Sequence, residues 1–138
     1  MPIQWREQFS VGNDLIDSDH RYLLEIINKA ELCLKANQAT LLPPLLDELG
    51  HYGQMHFQRE EQVAKAVGYP KSEQLHISHD ALVEKLKVVR SQIGDAWTKE
   101  SVTHFTAFLR DWLLNHVIKE DMLMKPWLQK YSPRFDPR

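Results

Sequence analysis

The sequence predicts an all-α protein, an antiparallel up-down four-helix bundle that is preceded by a non-helical N-terminal arm. Three observations support this: four apolar stripes at helical spacing, short connections between them, and no sustained alternation typical of strands. With 138 residues, 43% hydrophobic and 26% charged, the chain has the size and composition of one globular domain. We expect the domain to span residues 1–131. Residues 132–138 are predicted to be a linker-like tail, because two prolines there discourage regular structure.

The first two helices are predicted at residues 18–36 and from Thr40 to a stop at Gly68. Ser18 and Thr40 are candidate N-caps, because their hydroxyl oxygens can accept a hydrogen bond from a free backbone N–H. The apolar positions of these two helices are Leu23, Leu24, Ile27 and Leu34 in the first, and Leu42, Leu45, Leu46, Leu49 and Val63 in the second.

The third and fourth helices are predicted to begin at Ser72 and after a Thr98 cap, with Gly94 ending the third. Their apolar positions are Leu75, Leu82, Leu86, Val89 and Ile93 in the third, and Val102, Phe105, Leu109 and Trp112 in the fourth.

Composition argues against several classes of partner. A formal charge of -2 without a concentrated basic block makes nucleic acid an unexpected partner. No stretch reaches the roughly 20 apolar residues that span a bilayer, so no membrane association is expected. The N-terminus lacks a signal-peptide pattern, and the single Cys33 cannot form an intramolecular disulfide, so we expect a cytoplasmic protein.

Each apolar stripe also contains a histidine: His20, His56, His79 and His116. One core-facing histidine more often finds a hydrogen bond than a metal, but four together favour a metal site. Glu60 follows His56 by four residues and therefore shares its helix face. Imidazoles with carboxylates in a bundle core suit two first-row transition ions, although these ligands also accept zinc or manganese.

The sequence resembles the bacterial hemerythrins over almost its whole length. Five blocks carry the resemblance: Trp5 with residues 9–12 (Phe-Ser-Val-Gly), residues 16–23 around His20, residues 56–61 (His-Phe-Gln-Arg-Glu-Glu), Gly68-Tyr69-Pro70, and residues 112–116 (Trp-Leu-Leu-Asn-His) with Asp121.

The resemblance implies two iron ions joined by an oxo or hydroxo group. It assigns His20 and His56 to one ion and His79 and His116 to the other, with both ions bridged by a pair of carboxylates, Glu60 and Asp121. Strict helical geometry turns Asp121 about 140° from His116, so bridging requires side-chain reach or a local π-like widening.

The sequence departs from the family pattern at Leu75, where relatives usually have a further histidine ligand. His76 lies about 100° away around the helix, so turning it inward would carry His79 and the apolar stripe off the core. We therefore expect Leu75 to be buried and His76 to lie outside the ligand set. Glu61 is expected to be a solvated helix charge, because adjacent helical positions do not share a face.

A missing histidine would leave open coordination positions for dioxygen, nitric oxide or peroxide. This favours a redox-changing sensory module of a larger signalling protein, with an output domain beyond the tail. The alternatives are a stand-alone dioxygen carrier or storage protein, a diiron peroxidase or oxidase, and a purely structural bundle; enzyme activity of the domain itself is not expected. Trp112 and Leu113 resemble family residues that line the ligand pocket, although ordinary core positions fit them equally well.

Overall fold

Four long helices dominate the computed structural model, which describes residues 2–94 and 97–137. They are α1 (Asp14–Lys35), α2 (Leu42–Ala66), α3 (Ser72–Gln92) and α4 (Lys99–Asp111). Helix α4 continues into a π-helical segment (Trp112–Ile118), and shorter helical turns follow at Lys119–Asp121, Met122–Met124 and Lys125–Leu128. The predicted antiparallel four-helix bundle is confirmed.

Two of the predicted helix starts were wrong. Helix α1 begins at Asp14, because the Asn13 side chain accepts a hydrogen bond from the Ile16 N–H at 3.1 Å; Ser18 lies inside the helix. Helix α2 starts at Leu42, and its N-cap position is Leu41 rather than Thr40. The Thr98 cap is confirmed, since its hydroxyl accepts from the Ser101 N–H at 3.1 Å.

Apolar side chains from all four helices form the main core, including Leu23, Ile27, Leu49, Leu86, Leu109 and Leu113. A second cluster joins the chain before α1 to α2, α3 and the last helical turns; it includes Val11, Val63, Leu75, Met124 and Leu128. In the described part of the chain, no helix combines the length and apolar character needed to cross a bilayer.

The described segments near both ends of the chain contact α1 or its N-cap. In the N-terminal segment, the Ile3 N–H donates to the Asn28 side chain, whose amide donates back to the Ile3 carbonyl, both at 2.8 Å. Near the C-terminus, the Pro133 carbonyl accepts from the Asp14 N–H at 2.7 Å. The Asn13 side chain also donates to the Phe135 carbonyl at 3.0 Å. Residues 132–137 therefore fold back onto the bundle, and a linker role for this segment stays a prediction.

Candidate metal centre

Four of the six predicted ligands meet in the core of the bundle. Helix α1 contributes His20, α2 contributes His56 and Glu60, and the turn after the π-helical segment contributes Asp121. One ligand atom from each lies within 4.8 Å of all the others, and all four side chains are buried. Facing helices thus bring together residues that are up to 101 positions apart in sequence.

The polar atoms of these four side chains lie close together, but few of them form hydrogen bonds with one another. His20 Nε2 lies 2.6 Å from Asp121 Oδ2, which is the one hydrogen bond among them. His56 Nε2 lies 2.7 Å from Glu60 Oε2. Both of these atoms nevertheless have no hydrogen-bond partner among the described residues, so their contact lacks the alignment of a hydrogen bond.

Unpartnered polar atoms are concentrated at this point. Buried atoms without a hydrogen-bond partner among residues 2–94 and 97–137 include His20 Nδ1, His56 Nε2, Asp121 Oδ1 and both carboxylate oxygens of Glu60. Such burial is costly unless another group satisfies the atoms. Two imidazoles and two carboxylates form a donor set that first-row transition ions accept. These residues therefore fit a metal centre.

Burial and neighbouring charges shift the pKa values of the side chains in the cluster. Burial disfavours the charged form of His56, but the Glu60 carboxylate and neighbouring hydrogen bonds raise its pKa well above the usual range. Burial and the nearby Glu60 charge raise the pKa of Asp121 to about 7. The metal-free cluster therefore holds protons near neutral pH, which a bound cation would displace.

Asp19 fixes the orientation of His56. Its Oδ2 lies 2.9 Å from His56 Nδ1, while its Oδ1 accepts from the Tyr52 hydroxyl at 2.8 Å and from Arg59 at 3.0 Å. Sequence analysis missed Asp19 as a site residue. The available signal was the placement of Tyr52 four residues before His56 and Arg59 three residues after it, on the same face of α2.

His79 stands beside the cluster rather than within it. Its Nε2 lies 3.3 Å from Glu60 Oε1, and its side chain is only 3% exposed. The ring stacks on Phe57, with centroids 4.1 Å apart. On the other side, His79 Nδ1 lies 3.1 Å from Glu61 Oε2. The expectation that Glu61 is merely solvated was wrong, because its carboxylate contacts His79 and His76 and is only 20% exposed.

At positions 75 and 76, the structure shows the predicted orientation. Leu75 is 2% exposed and belongs to the second apolar cluster, whereas the His76 side chain is 56% exposed. Turning α3 to bury His76 would remove Leu75 from that cluster.

The structure does not bring His116 to the cluster. Its side chain is 43% exposed, and its Nε2 lies 3.1 Å from Asp111 Oδ2. The physical reason is the π-helical segment, whose i to i+5 spacing makes Asp111 and His116 neighbours while Leu113 and Val117 take buried positions. Of the two alternatives left open by the sequence, a π-like widening is present, and it accompanies a buried Asp121.

The two pocket candidates are core residues. Trp112 is buried, its indole N–H donates to the Leu82 carbonyl at 3.0 Å, and its ring centroid lies 6.0 Å from that of Phe57. Leu113 is fully buried in the main core. Trp112 therefore reaches the site through Phe57, the ring stacked on His79, and a pocket role for both residues stays a prediction.

Comparison with known proteins gives a consistent result. The family described as "Hemerythrin HHE cation binding domain" matches residues 11–128. A hemerythrin-like protein from Naegleria gruberi is 30% identical over 124 residues, covering 90% of this chain and 92% of that protein. A bacteriohemerythrin from Clostridium acetobutylicum is 27% identical over 121 residues, covering 85% of this chain and 94% of that protein.

A solved structure agrees with the sequence relatives. The crystal structure of wild-type hemerythrin superposes with a TM-score of 0.78 at 26% identity. The superposition covers 93% of this chain and 98% of the hemerythrin chain. The likeness therefore extends over nearly the whole fold of both chains.

Proposed function

The chain belongs to the hemerythrin family and is a hemerythrin-like cation-binding domain, and we propose that it holds two iron ions and binds dioxygen or another small ligand at them. The observation that carries this proposal is the convergence of two histidines and two carboxylates on one point of the core, where His56 Nε2 and three carboxylate oxygens lack a hydrogen-bond partner among the described residues. The donor types suit several first-row ions. The choice of iron and of two ions comes from the family.

We assign the ligands by their positions around Glu60. His20 and His56 would hold one ion, and His79 would hold the second, because its Nε2 faces the other Glu60 oxygen. Glu60 and Asp121 would be shared between the two ions. His116 is left out of this set, because it is exposed and lies against Asp111.

A bound iron pair would supply a change of oxidation state and exchangeable coordination positions. The chain's own residues would prepare the ligands for it. Asp19 accepts a hydrogen bond from His56 Nδ1, and Glu61 does the same for His79, so each ring presents Nε2 to the centre. Phe57 stacks on one face of the His79 ring and Trp112 packs against Phe57, so buried aromatic surface covers that one face.

The unequal ligand numbers favour a sensor over a carrier. The second position would have one histidine, so water or a small ligand would fill places that imidazole fills elsewhere, which changes redox potential and metal retention. An easily changed oxidation state suits a sensory module better than reversible storage. We therefore propose a cytoplasmic sensory module of a larger signalling protein, whose output domain would follow residue 138.

The test is metal analysis combined with absorption spectroscopy. The protein is purified after growth in iron-supplemented medium, and iron, zinc and manganese per chain are quantified. Spectra are then recorded for air-oxidised and dithionite-reduced samples, and again after nitric oxide is added to the reduced form.

We expect two irons per chain, a spectrum that changes reversibly on reduction, and a further change with nitric oxide. Zinc alone, or no bound metal, would overturn the proposal. Long-lived, fully reversible dioxygen binding with slow autoxidation would overturn the sensor assignment and favour a carrier. His51→Ala, which alters an exposed histidine, is the control and should retain every property, whereas His20→Ala should lose metal.

A further inference from the structure

A chain of alternating imidazoles and carboxylates runs from the buried centre to the surface of the bundle. Glu60 contacts His79, and His79 contacts Glu61 at the distances given above. Glu61 Oε1 in turn lies 2.5 Å from His76 Nδ1. His76 Nε2 then lies 3.4 Å from Asp80 Oδ2. We refer to Glu61, His76 and Asp80 as the outer cluster.

Exposure increases steadily along this chain. The side chains of Glu60 and His79 are 0% and 3% exposed, whereas those of His76 and Asp80 are 56% and 72% exposed. The outer cluster and His79 line a surface cavity of about 410 Å³ between α2 and α3. A small hydrated cation therefore has space to reach His79 from solvent.

The cavity has the charge that attracts cations. Its lining includes three carboxylates, those of Glu61, Asp80 and Glu84, against a single lysine, Lys87. The Lys87 Nζ lies 3.4 Å from Glu84 Oε1, so this lysine is paired with one of the three carboxylates. A cleft lined mainly by one sign of charge raises the local concentration of counter-ions and their rate of arrival.

The other approaches to the centre are less suited to a cation. Behind His56, Asp19 is already bonded to Tyr52 and to the cationic Arg59. On α3, the position one turn before His79 is the buried, apolar Leu75. The path from the outer cluster through His79, by contrast, leads to Glu60. Both of its carboxylate oxygens are buried without a hydrogen-bond partner among the described residues.

We propose that the outer cluster is a capture site for a divalent transition-metal cation, from which the ion passes along His79 to the buried centre. The cation would bind between Glu61 and His76 in place of their hydrogen bond, using ligand types that also suit the centre. His79 would connect the two sites, because its Nδ1 faces Glu61 of the outer cluster and its Nε2 faces Glu60 of the buried centre. This inference rests on the proposed metal-binding function and adds a loading route to it.

The test is the rate of metal uptake by the metal-free protein. Co²⁺ is mixed anaerobically with wild type, His76→Ala and Asp80→Asn, and uptake is followed by the visible absorption of bound cobalt. His104→Ala, an exposed histidine on α4, is the matched control. Final cobalt content, thermal midpoint and circular dichroism are measured for every variant.

We expect His76→Ala to load about tenfold more slowly than wild type at low ionic strength, in line with electrostatic steering into a charged cleft. Its final cobalt content should equal that of wild type. Asp80→Asn should slow loading less, and high salt should reduce the difference between Asp80→Asn and wild type, because screening weakens attraction by exposed charge. His104→Ala should load like wild type.

The outcomes separate the two proposals. Unchanged rates in both His76→Ala and Asp80→Asn would overturn the capture site and leave the buried centre intact. A lower final content in His76→Ala at an unchanged initial rate would also overturn it, because His76 would then be a permanent ligand. Wild-type protein that binds neither cobalt nor iron would overturn both proposals.

Discussion

The His56 side of the centre is closed, whereas the His79 side opens to the surface. On the closed side, His20 and His56 are fully buried, and Asp19 holds His56 through a hydrogen bond that Tyr52 and Arg59 reinforce. On the open side, His79 is also buried, but the Glu61 that orients it faces a surface cavity.

The difference shows that the surroundings of His56 and His79 are unequal, although Glu60 contacts both histidines. On α3, the residue one turn before His79 is the buried, apolar Leu75, and His116 lies outside the cluster against Asp111. Under the proposed assignment of two ions, we expect the closed side to retain its metal tightly and the open side to exchange it. The following substitutions test that contrast, from the largest expected effect to the smallest.

Glu60→Gln should remove metal binding from both sides of the centre. Glu60 contacts His56 through one carboxylate oxygen and His79 through the other, so the neutral amide removes the charge shared by both positions. We expect bound metal to fall to near zero. The measurement is metal content per chain after purification and dialysis. Retention of even one tightly bound ion would contradict the shared role of Glu60.

The control for this prediction is Glu84→Gln, since the Glu84 side chain is 70% exposed. It should keep wild-type metal content. Circular dichroism of both variants distinguishes lost ligation from lost folding.

Asp19→Asn should weaken the closed side selectively. The amide cannot match the charged acceptor that orients His56 Nδ1, and loss of such partners typically costs about 10- to 100-fold in metal affinity. We expect the tighter of two metal-binding phases to weaken by about that factor in a competition titration with a chelator. A change in the weaker phase alone would mean that the two sides are assigned the wrong way round.

The helices and the inward positions of His20, His56, Glu60 and His79 were predictable from sequence, because helical periodicity alone decides which residues share a face. The start of α1 was not predictable in this way. It depends on Asn13 as the cap and on the Pro133 carbonyl that returns from the far end of the chain.

The orientation of His116 and the roles of Asp19 and Glu61 also required the structure. A π-helical segment shifts the register of every later side chain, and nothing in the periodicity of the fourth helix fixes where such a segment begins. Asp19 and Glu61 lie next to ligands in sequence, which argues against a shared face. They reach histidines of other helices instead, at contacts that sequence spacing does not encode.

Leu75→His should make the open side more like the closed side. The position is buried one turn before His79, so an imidazole there faces the same region of the core. We expect the weaker-bound metal to dissociate about tenfold more slowly in chelator-challenge experiments, within the range by which ligand-supporting groups alter affinity. Without metal, the buried imidazole should lower the free energy of unfolding by about 1–3 kcal/mol.

Leu75→Met is the control, because a volume-conserving apolar exchange usually costs less than about 1.5 kcal/mol. It should leave metal dissociation unchanged. Faster metal loss in Leu75→His than in Leu75→Met would show that this position does not face the second ion.

His116→Ala should have the smallest effect. The side chain is largely exposed and contacts Asp111, itself 54% exposed, so its removal should change the free energy of unfolding by about 0.5 kcal/mol or less. We expect metal content and chelator-challenge rates to match wild type, while His20→Ala, the buried counterpart, loses metal. If His116→Ala instead loses one ion of two, the imidazole must leave Asp111 and enter the core when metal binds. The open side would then gain its second histidine only in the loaded protein, and the asymmetry between the two sides would belong to the metal-free state.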